Sequence, residues 1–155
     1  HHIDAFAPFA DPIIVVLGEN GQRFEQILPP QVHIVYNPQG STTPPMTSIK
    51  IALTHLKDPM RVLITPVDTP PAQPLTIQTL LNTKGIAVPV NKHGDRGHPV
   101  LIDPPAIHHA LTKELEEGLR SLVKTGTEVM VAQENICIDF DTPDAWEMFL
   151  QQEHP

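Results

Sequence analysis

The feature that most constrains the fold is an alternation of short aliphatic runs with segments of helical periodicity. Aliphatic runs cover residues 13–17, 32–36, 62–64 and 86–90, and segments with helical apolar spacing cover residues 22–28, 48–56 and 75–81. Continuous aliphatic runs are typical of strands covered on both faces, and strands that alternate with helices build a parallel sheet between helical layers. The pattern predicts an α/β protein with a mainly parallel sheet in a three-layer arrangement.

The second half of the chain is less regular. Further strands are predicted at residues 99–102, 129–131 and 136–138, and helices at residues 107–122 and 145–150. Thr142 is placed to cap the last helix, with Pro143 in its first turn, and Thr47 or Ser48 is placed to cap the helix that runs to residue 56. Eighteen prolines keep the elements short. Because no repeat or linker divides the chain, we expect a single domain over residues 1–155.

Net charge and hydropathy exclude several functional classes. The chain carries 10 Lys and Arg against 18 Asp and Glu, a formal net charge of −8, so it lacks the basic face that nucleic-acid binding requires. No apolar stretch approaches the roughly 20 residues that span a bilayer, and residues 1–4 do not have the pattern of a signal peptide. The sequence predicts a cytoplasmic protein that binds neither nucleic acid nor membranes.

The single cysteine, Cys137, cannot form an internal disulfide. Its apolar neighbours Ile136 and Ile138 favour a buried, unreactive thiol in a reducing compartment. The histidines do not have the spacing of a zinc site, and no Gly-x-Ser-x-Gly turn supplies a hydrolase nucleophile.

Polar residues that follow the strands are the first candidates for a functional site, because α/β proteins bind ligands at the carboxyl ends of their strands. Asn37 follows the second run, and Asp68 follows the third within a turn bracketed by Pro66 and Pro70. A carboxylate on a rigid turn suits a hard cation. The alternative is that Asp68 only caps the next helix or turn.

A second acidic site lies after the last predicted strand. Asp139 and Asp141 flank Phe140, and alternation along an extended segment places both carboxylates on one side. Two strand ends that each offer one carboxylate make a sparse site with room for water and phosphate oxygens, as Mg²⁺ prefers. Capping of the following helix by Asp141 or Thr142 is the alternative.

The loop at residues 91–99 precedes a strand and contains several cationic or titratable side chains. Gly97 permits a close backbone approach to a ligand, and Lys92, Arg96 or His98 could meet an anionic group. A solvated loop without function is the alternative.

Taken together, these motifs resemble the molybdenum-cofactor nucleotidyltransferases, in particular their cytidylyltransferase-like branch. The resemblance runs from residue 13 to residue 149 and rests on motifs in a fixed order. These motifs are Asn37-Pro38, Ser48 at the start of a helix, Pro66-Val67-Asp68-Thr69-Pro70, Gly97-His98-Pro99 and Asp139-Phe140-Asp141-Thr142-Pro143-Asp144.

The resemblance implies a Rossmann-like nucleotidyltransferase fold and a Mg²⁺-dependent reaction. In that reaction a nucleoside monophosphate moves from an NTP to a phosphorylated cofactor precursor such as molybdopterin, and pyrophosphate is released. CTP is the favoured NTP, and GTP is the alternative. A molybdoenzyme that receives the product is the implied protein partner.

The resemblance also implies roles for individual residues. Asp68 matches the acidic residue that binds the metal, and Asp141 matches the aspartate that completes the metal site. Asn37 and Ser48 match positions near the nucleotide and the substrate, while Gly97-His98 matches the loop on the acceptor side.

The first residues depart from the family pattern. Members of the family open with a strand and a Gly-rich loop that contains an Arg and then a Lys, and no such loop occurs in residues 1–12. Residues 1–10 instead predict the end of a helix. Two alternatives therefore stay open, a non-catalytic domain of the same fold that binds a nucleotide, cofactor or protein, and a sugar-1-phosphate nucleotidyltransferase.

Overall fold

The computed structural model describes residues 1–58, 60–115, 117–142, 145–147 and 149. Within these residues, no helix is long and apolar enough to cross a membrane. The helices are α1 (His2–Phe6), α2 (Gln22–Glu25), α3 (Pro45–Thr54), α4 (Pro74–Leu81), α5 (Pro104–Thr112) and α6 (Leu119–Val123), with a 3₁₀ helix at Glu134–Cys137. The strands are β1 (Ile14–Leu17), β2 (His33–Tyr36), β3 (Val62–Ile64), β4 (Ala87–Val90), β5 (Val100–Ile102) and β6 (Thr127–Met130).

The described strands form a two-stranded sheet, β1-β2, and a four-stranded sheet in the order β3-β5-β4-β6. β1 pairs parallel with β2, and β4 pairs parallel with β6. β5 runs antiparallel to both β3 and β4. β4 reaches β5 through a loop rather than a helix, and such a connection suits antiparallel neighbours. The predicted α/β class is confirmed, with one antiparallel strand inside it.

Helices cover both faces of the larger sheet. On one face, Val88, Val100 and Ile102 pack against residues of α3, α5 and α6. On the other face, Ala87 and Leu101 pack against α4. Successive side chains of a strand point to opposite faces, so β4 and β5 supply both layers of the core. The predicted three-layer arrangement is therefore present.

The second helix is shorter than predicted. α2 ends at Glu25 instead of continuing to residue 28. Two of the three residues of its predicted apolar face are exposed, Phe24 at 54% and Ile27 at 76%, while Leu28 is half-buried. A four-residue helix is too short to present a continuous face to the core.

The helix cap predicted at Thr47 or Ser48 is wrong. α3 begins at Pro45, and Pro44 is its N-cap residue. Proline suits the first position of a helix because its fixed φ angle is helical and its nitrogen carries no hydrogen. Ser48 consequently lies inside the first turn of α3 and its hydroxyl is free for another role.

The interpretation of Cys137 as a buried thiol in a strand is also wrong. Residues Glu134–Cys137 form a 3₁₀ helix, and Cys137 is exposed. One turn of helix directs neighbouring side chains in different directions, so Ile136 is buried while Cys137 is not.

Thr142 caps the last helical segment as predicted, since the backbone N–H of Ala145 donates to Thr142 Oγ1 over 3.2 Å. The predicted contribution of Pro143 and the end of that helix at residue 150 lie outside the described residues.

Candidate active site

Asn37 lies directly after β2 and is only 3% exposed. Its backbone N–H donates to the Leu17 carbonyl over 2.8 Å, which extends the β1-β2 pairing by one step. Its side-chain amide donates to Thr43 Oγ1 over 3.1 Å and to Ser48 Oγ over 3.0 Å. Asn37 Oδ1 accepts from the backbone N–H of Gln39 over 3.3 Å. Asn37 therefore fixes the loop at residues 37–43 against the first turn of α3.

Asp68 lies in the turn after β3, and its neighbours hold that turn in place. Thr69 is buried, and its hydroxyl donates to the Pro66 carbonyl over 3.1 Å. Asp68 itself is exposed, and none of the hydrogen bonds or ion pairs among the described residues engages its carboxylate. α4 has Gln73 as its N-cap residue, so Asp68 does not cap that helix.

One backbone hydrogen bond joins the two acidic segments. The N–H of Phe140 donates to the carbonyl of Asp68 over 2.7 Å. Asp139 and Asp141 flank Phe140 and are exposed. Since Thr142 supplies the helix cap, the Asp141 carboxylate is not used for capping by any described residue. The turn that carries Asp68 and the segment that carries Asp139 and Asp141 are thus joined through their backbones.

The Gly97-His98 loop packs against the 3₁₀ helix at Glu134–Cys137. The backbone N–H of His98 donates to the Ile136 carbonyl over 2.9 Å, and a Cβ atom on Gly97 would overlap that same carbonyl group. The close approach that glycine allows here is therefore to the protein's own backbone.

His98 lies close enough to Asp68 to feel its charge. Burial lowers the pKa of His98, and the Ile64 carbonyl and the Asp68 carboxylate oppose this shift. His98 Nδ1 is buried without a hydrogen-bond partner among the described residues. The His98 ring thus lies near the acidic turn, and one of its nitrogens has no hydrogen-bond partner among the described residues.

The Lys and Arg side chains of this loop are already paired with carboxylates. Lys92 lies 3.4 Å from the Glu134 carboxylate, and the Arg96 guanidinium lies 2.8 Å from that of Glu128. Their charges are balanced within the protein, which leaves His98 as the loop residue of interest beside the acidic turn.

The chemistry of the donor set indicates which metals fit. Within the described residues, no group of three or more His, Cys, Asp or Glu side chains is arranged to hold a metal ion. Asp68 and Asp141 together offer two exposed carboxylates with no competing hydrogen bond from a described residue. Mg²⁺ and similar hard cations bind through one or two carboxylates and complete their shells with water and substrate phosphates. The residues present fit such an ion and do not fit structural zinc.

The predicted site residues fall into two groups. Asn37 and Ser48 are directly hydrogen-bonded. The second group consists of Asp68, Asp141 and the Gly97-His98 loop. The loop bonds the 3₁₀ helix at Ile136, and the segment that follows this helix bonds Asp68 through Phe140. No hydrogen bond among the described residues links the first group to the second.

Sequence reasoning missed Gln133. It is 3% exposed and lines a cleft of about 390 Å³ beside Pro70 and Pro71, just after Asp68. Gln133 follows β6 after two residues, whereas Asp68 follows β3 after three, so the signal that selected Asn37 and Asp68 applies to Gln133 as well.

The fold and the comparisons with known proteins place this chain among the nucleotidyltransferases. Residues 1–131 match the MobA-like NTP transferase domain, and the chain belongs to that family. It is 29% identical over 148 residues to the molybdenum cofactor cytidylyltransferase of Escherichia coli, an alignment that covers 88% of this chain and 72% of the relative.

Solved structures share the fold. Rv0371c from Mycobacterium tuberculosis superposes with a TM-score of 0.78 at 18% identity, over 97% of this chain and 81% of its own. The same protein in complex with manganese gives a TM-score of 0.76 at 18% identity, over 97% and 83% of the two chains.

Proposed function

We propose that this nucleotidyltransferase moves a nucleoside monophosphate from CTP to a phosphorylated molybdopterin-type cofactor precursor and releases pyrophosphate. The proposal includes a divalent cation, Mg²⁺ or Mn²⁺, held by Asp68 and Asp141. The name of the similar Escherichia coli protein supports the nucleotide and the acceptor, and the manganese complex of Rv0371c supports the kind of ion.

The observation that carries the proposal is the hydrogen bond from the Phe140 N–H to the Asp68 carbonyl, over 2.7 Å. It joins the turn after β3 to the segment after the 3₁₀ helix at Glu134–Cys137, and each of them carries an exposed aspartate. Buried or paired carboxylates would favour a structural role, whereas exposed carboxylates held on fixed backbone are ready to bind a cation.

Phosphoryl transfer makes limited demands on protein side chains. When bound, the cation neutralises charge on the phosphate oxygens. The chain's own contribution is to fix Asp68 and Asp141 at a constant separation and to align the acceptor phosphate with the α-phosphorus. The acceptor phosphate is itself the nucleophile, so no side-chain nucleophile is needed.

Ser48 and Asn37 are assigned to the nucleotide side of the site. Ser48 Oγ accepts a hydrogen bond from the Asn37 amide, which leaves the Ser48 O–H to donate to a phosphate or ribose oxygen. Asn37 acts through Ser48 and through the loop at residues 37–43 that it fixes.

Gly97 and His98 are assigned to the acceptor side. Gly97 seats the loop on the Ile136 carbonyl, and this loop holds His98 close enough to Asp68 to feel its charge. A molybdoenzyme that takes up the product, a cytoplasmic location and a single domain over residues 1–155 stay predictions.

The experiment is a pyrophosphate-release assay on the full-length protein with molybdopterin as acceptor. We expect release only when CTP, acceptor and Mg²⁺ or Mn²⁺ are all present. Asp68→Asn and Asp141→Asn should each lower the rate by more than about 100-fold, since changes outside the ligand shell of a metal already cost 10- to 100-fold. Asp11→Asn, an exposed carboxylate elsewhere in the chain, is the matched control.

The same assay separates the alternatives. Faster release with GTP would replace the proposed nucleotide, and release with a sugar 1-phosphate in place of molybdopterin would replace the proposed acceptor. Full activity of Asp68→Asn would contradict the metal site. Asp139→Asn tests which aspartate of the pair is used, and we expect it to retain activity.

A further inference from the structure

The segment at residues 133–140 is joined at three points to two other parts of the chain, the loop at residues 91–99 and the turn that carries Asp68. The Glu134 carbonyl accepts from the Asn91 side chain over 3.4 Å, the Ile136 carbonyl accepts from His98, and the Phe140 N–H donates to Asp68. Each of these bonds uses the backbone of the segment. Gln133 differs, because it reaches across to the segment after Asp68 with its side chain.

Gln133 makes four side-chain hydrogen bonds. Its Oε1 accepts from the Gln73 backbone N–H over 2.8 Å and from Thr76 Oγ1 over 3.1 Å. Its Nε2 donates to the Pro71 carbonyl over 3.1 Å and to Asn135 Oδ1 over 2.8 Å. Both hydrogens and both lone pairs of the amide are therefore used.

The partners of Gln133 lie on two different elements that both lead to the acidic site. Pro71 and Gln73 follow Asp68 in the chain and lead into α4. Asn135 belongs to the 3₁₀ helix that precedes Asp139 and Asp141. Gln133 and the Phe140–Asp68 hydrogen bond thus clamp the same two segments at two points along their length.

We propose that Gln133 is a positioning residue that holds the Asp68 turn and the Asp141 segment in register and thereby sets the separation of the two carboxylates. The inference rests on the proposed function, because the carboxylate separation matters only if both aspartates hold one cation. Hydrogen bonds that hold the segments around metal ligands orient those ligands and control metal affinity.

Glutamine is the side chain that this position requires. Glutamate would keep the acceptor oxygens but would face the Pro71 carbonyl and Asn135 Oδ1 without a hydrogen to donate. Methionine has a similar length and volume and makes none of the four bonds. It leaves the hydroxyl of the buried Thr76 and the backbone N–H of Gln73 without their acceptor. Gln133→Met consequently removes the clamp while it keeps the packing.

The opposite end of α4 offers a matched control. The Arg61 guanidinium donates to the Leu81 carbonyl over 2.6 Å and also to the carbonyls of Leu80 and Thr83. Arg61→Met therefore removes a comparable set of hydrogen bonds from the same helix, at the end away from Pro71 and Gln73.

The experiment compares the wild-type protein with Gln133→Met and Arg61→Met by two readouts other than catalysis. The first is amide hydrogen exchange of Phe140, measured by NMR without metal. The second is Mn²⁺ affinity, measured by titration with electron paramagnetic resonance. Gln133→Met should speed exchange at Phe140 by about tenfold and weaken Mn²⁺ binding by about tenfold. Arg61→Met should change neither, although both variants lower the melting temperature.

Thr76→Val covers the case in which Gln133→Met does not fold. It removes one of the four hydrogen bonds with little change of shape, and we expect effects in the same direction and smaller. Equal effects of the Gln133 and Arg61 variants would show that Gln133 contributes only general stability and would overturn the inference.

Asp68→Asn in the same titration separates the inference from the proposed function. If Asp68→Asn abolishes Mn²⁺ binding while Gln133→Met leaves it unchanged, the metal site stands and the positioning role is wrong. If Asp68→Asn binds Mn²⁺ as tightly as the wild-type protein, the proposed metal site is wrong.

Discussion

Asn37 and Asp68 occupy comparable places in the fold, since each follows the carboxyl end of a strand, yet their surroundings differ completely. Asn37 is buried and its side chain is bonded to Thr43, Ser48 and the Gln39 backbone. Asp68 is exposed, and no described residue bonds its carboxylate. A polar residue after a strand can thus have either of two roles. It can fix the shape of a loop, as Asn37 does, or its side chain can stay free to bind a ligand, as that of Asp68 does.

The difference predicts opposite consequences for mutation. A buried polar group that bonds several neighbours contributes to stability, and its loss leaves those neighbours unsatisfied. An exposed carboxylate contributes little to stability. Activity should therefore depend most on Asp68, and stability most on Asn37.

The largest effect is expected for Asp68→Asn. It should lower the rate of pyrophosphate release by more than about 100-fold, while the free energy of unfolding changes by no more than about 0.5 kcal/mol. The assay and a urea titration on the same preparation measure both quantities. A large loss of stability would show that Asp68 is a structural residue after all.

Asn37→Leu should show the reverse pattern. It removes all three side-chain hydrogen bonds of Asn37 and should lower the free energy of unfolding by about 1–3 kcal/mol. Gln39→Ala is the control, because Gln39 is exposed and only its backbone N–H meets Asn37. An unchanged urea midpoint for Asn37→Leu would contradict the assignment of Asn37 as the residue that fixes this loop.

Gly97→Ala tests whether the Gly97-His98 loop functions together with Asp68 and Asp141. The added methyl group would overlap the Ile136 carbonyl, and overpacking of this kind costs about 1–3 kcal/mol. The mutation should also weaken the apparent affinity for the acceptor, measured as KM, because it pushes His98 away from Asp68. Gly18→Ala is the matched substitution, since a Cβ at Gly18 meets nothing within 4 Å. If the two variants behaved alike, close packing at Gly97 would have no role.

The smallest effect concerns pH. Burial lowers the pKa of both His98 and His2 from the ordinary value of 6.5, so the unfolded chain binds protons more readily than the folded one. Stability should therefore fall as the pH drops below about 6.5 and level off once the folded protein is also protonated. Urea midpoints at neutral and mildly acidic pH measure this dependence of stability on pH. His98→Asn should make the dependence weaker. A midpoint that rises on acidification would contradict the sign.

Much of the framework could be predicted from the sequence because strands and their polar flanking residues leave local signals. The aliphatic runs gave the strands at residues 14–17 and 62–64 nearly residue by residue. The rule that strand ends collect ligand groups led us to expect Asp68 near the Asp139–Asp141 segment. Only Asp68 follows a strand, however, because Glu134–Cys137 forms a 3₁₀ helix in place of the predicted strand. The choice of Asp141 over Asp139 came from the resemblance to a known family, because the residue types alone do not distinguish the two aspartates.

The remaining features depend on tertiary contacts that leave little local signal. Cys137 sits between two isoleucines, yet the 3₁₀ helix turns it outward. The antiparallel direction of β5 depends on how the loop at residues 91–99 returns to the sheet. Gln133 bonds partners about sixty residues away in the chain, at Pro71, Gln73 and Thr76, and nothing near it in sequence indicates them.

The central claim is that Asp68 and Asp141 hold one cation together. A Mn²⁺ titration by electron paramagnetic resonance on the wild-type protein, Asp68→Asn, Asp141→Asn and the double variant tests it most directly. If both carboxylates bind the same ion, each single substitution removes the strong site and the double variant binds no more weakly than either single one, because coupled residues are not additive. If the two losses add as independent effects, or if neither single variant changes the titration, the aspartates do not form a common metal site.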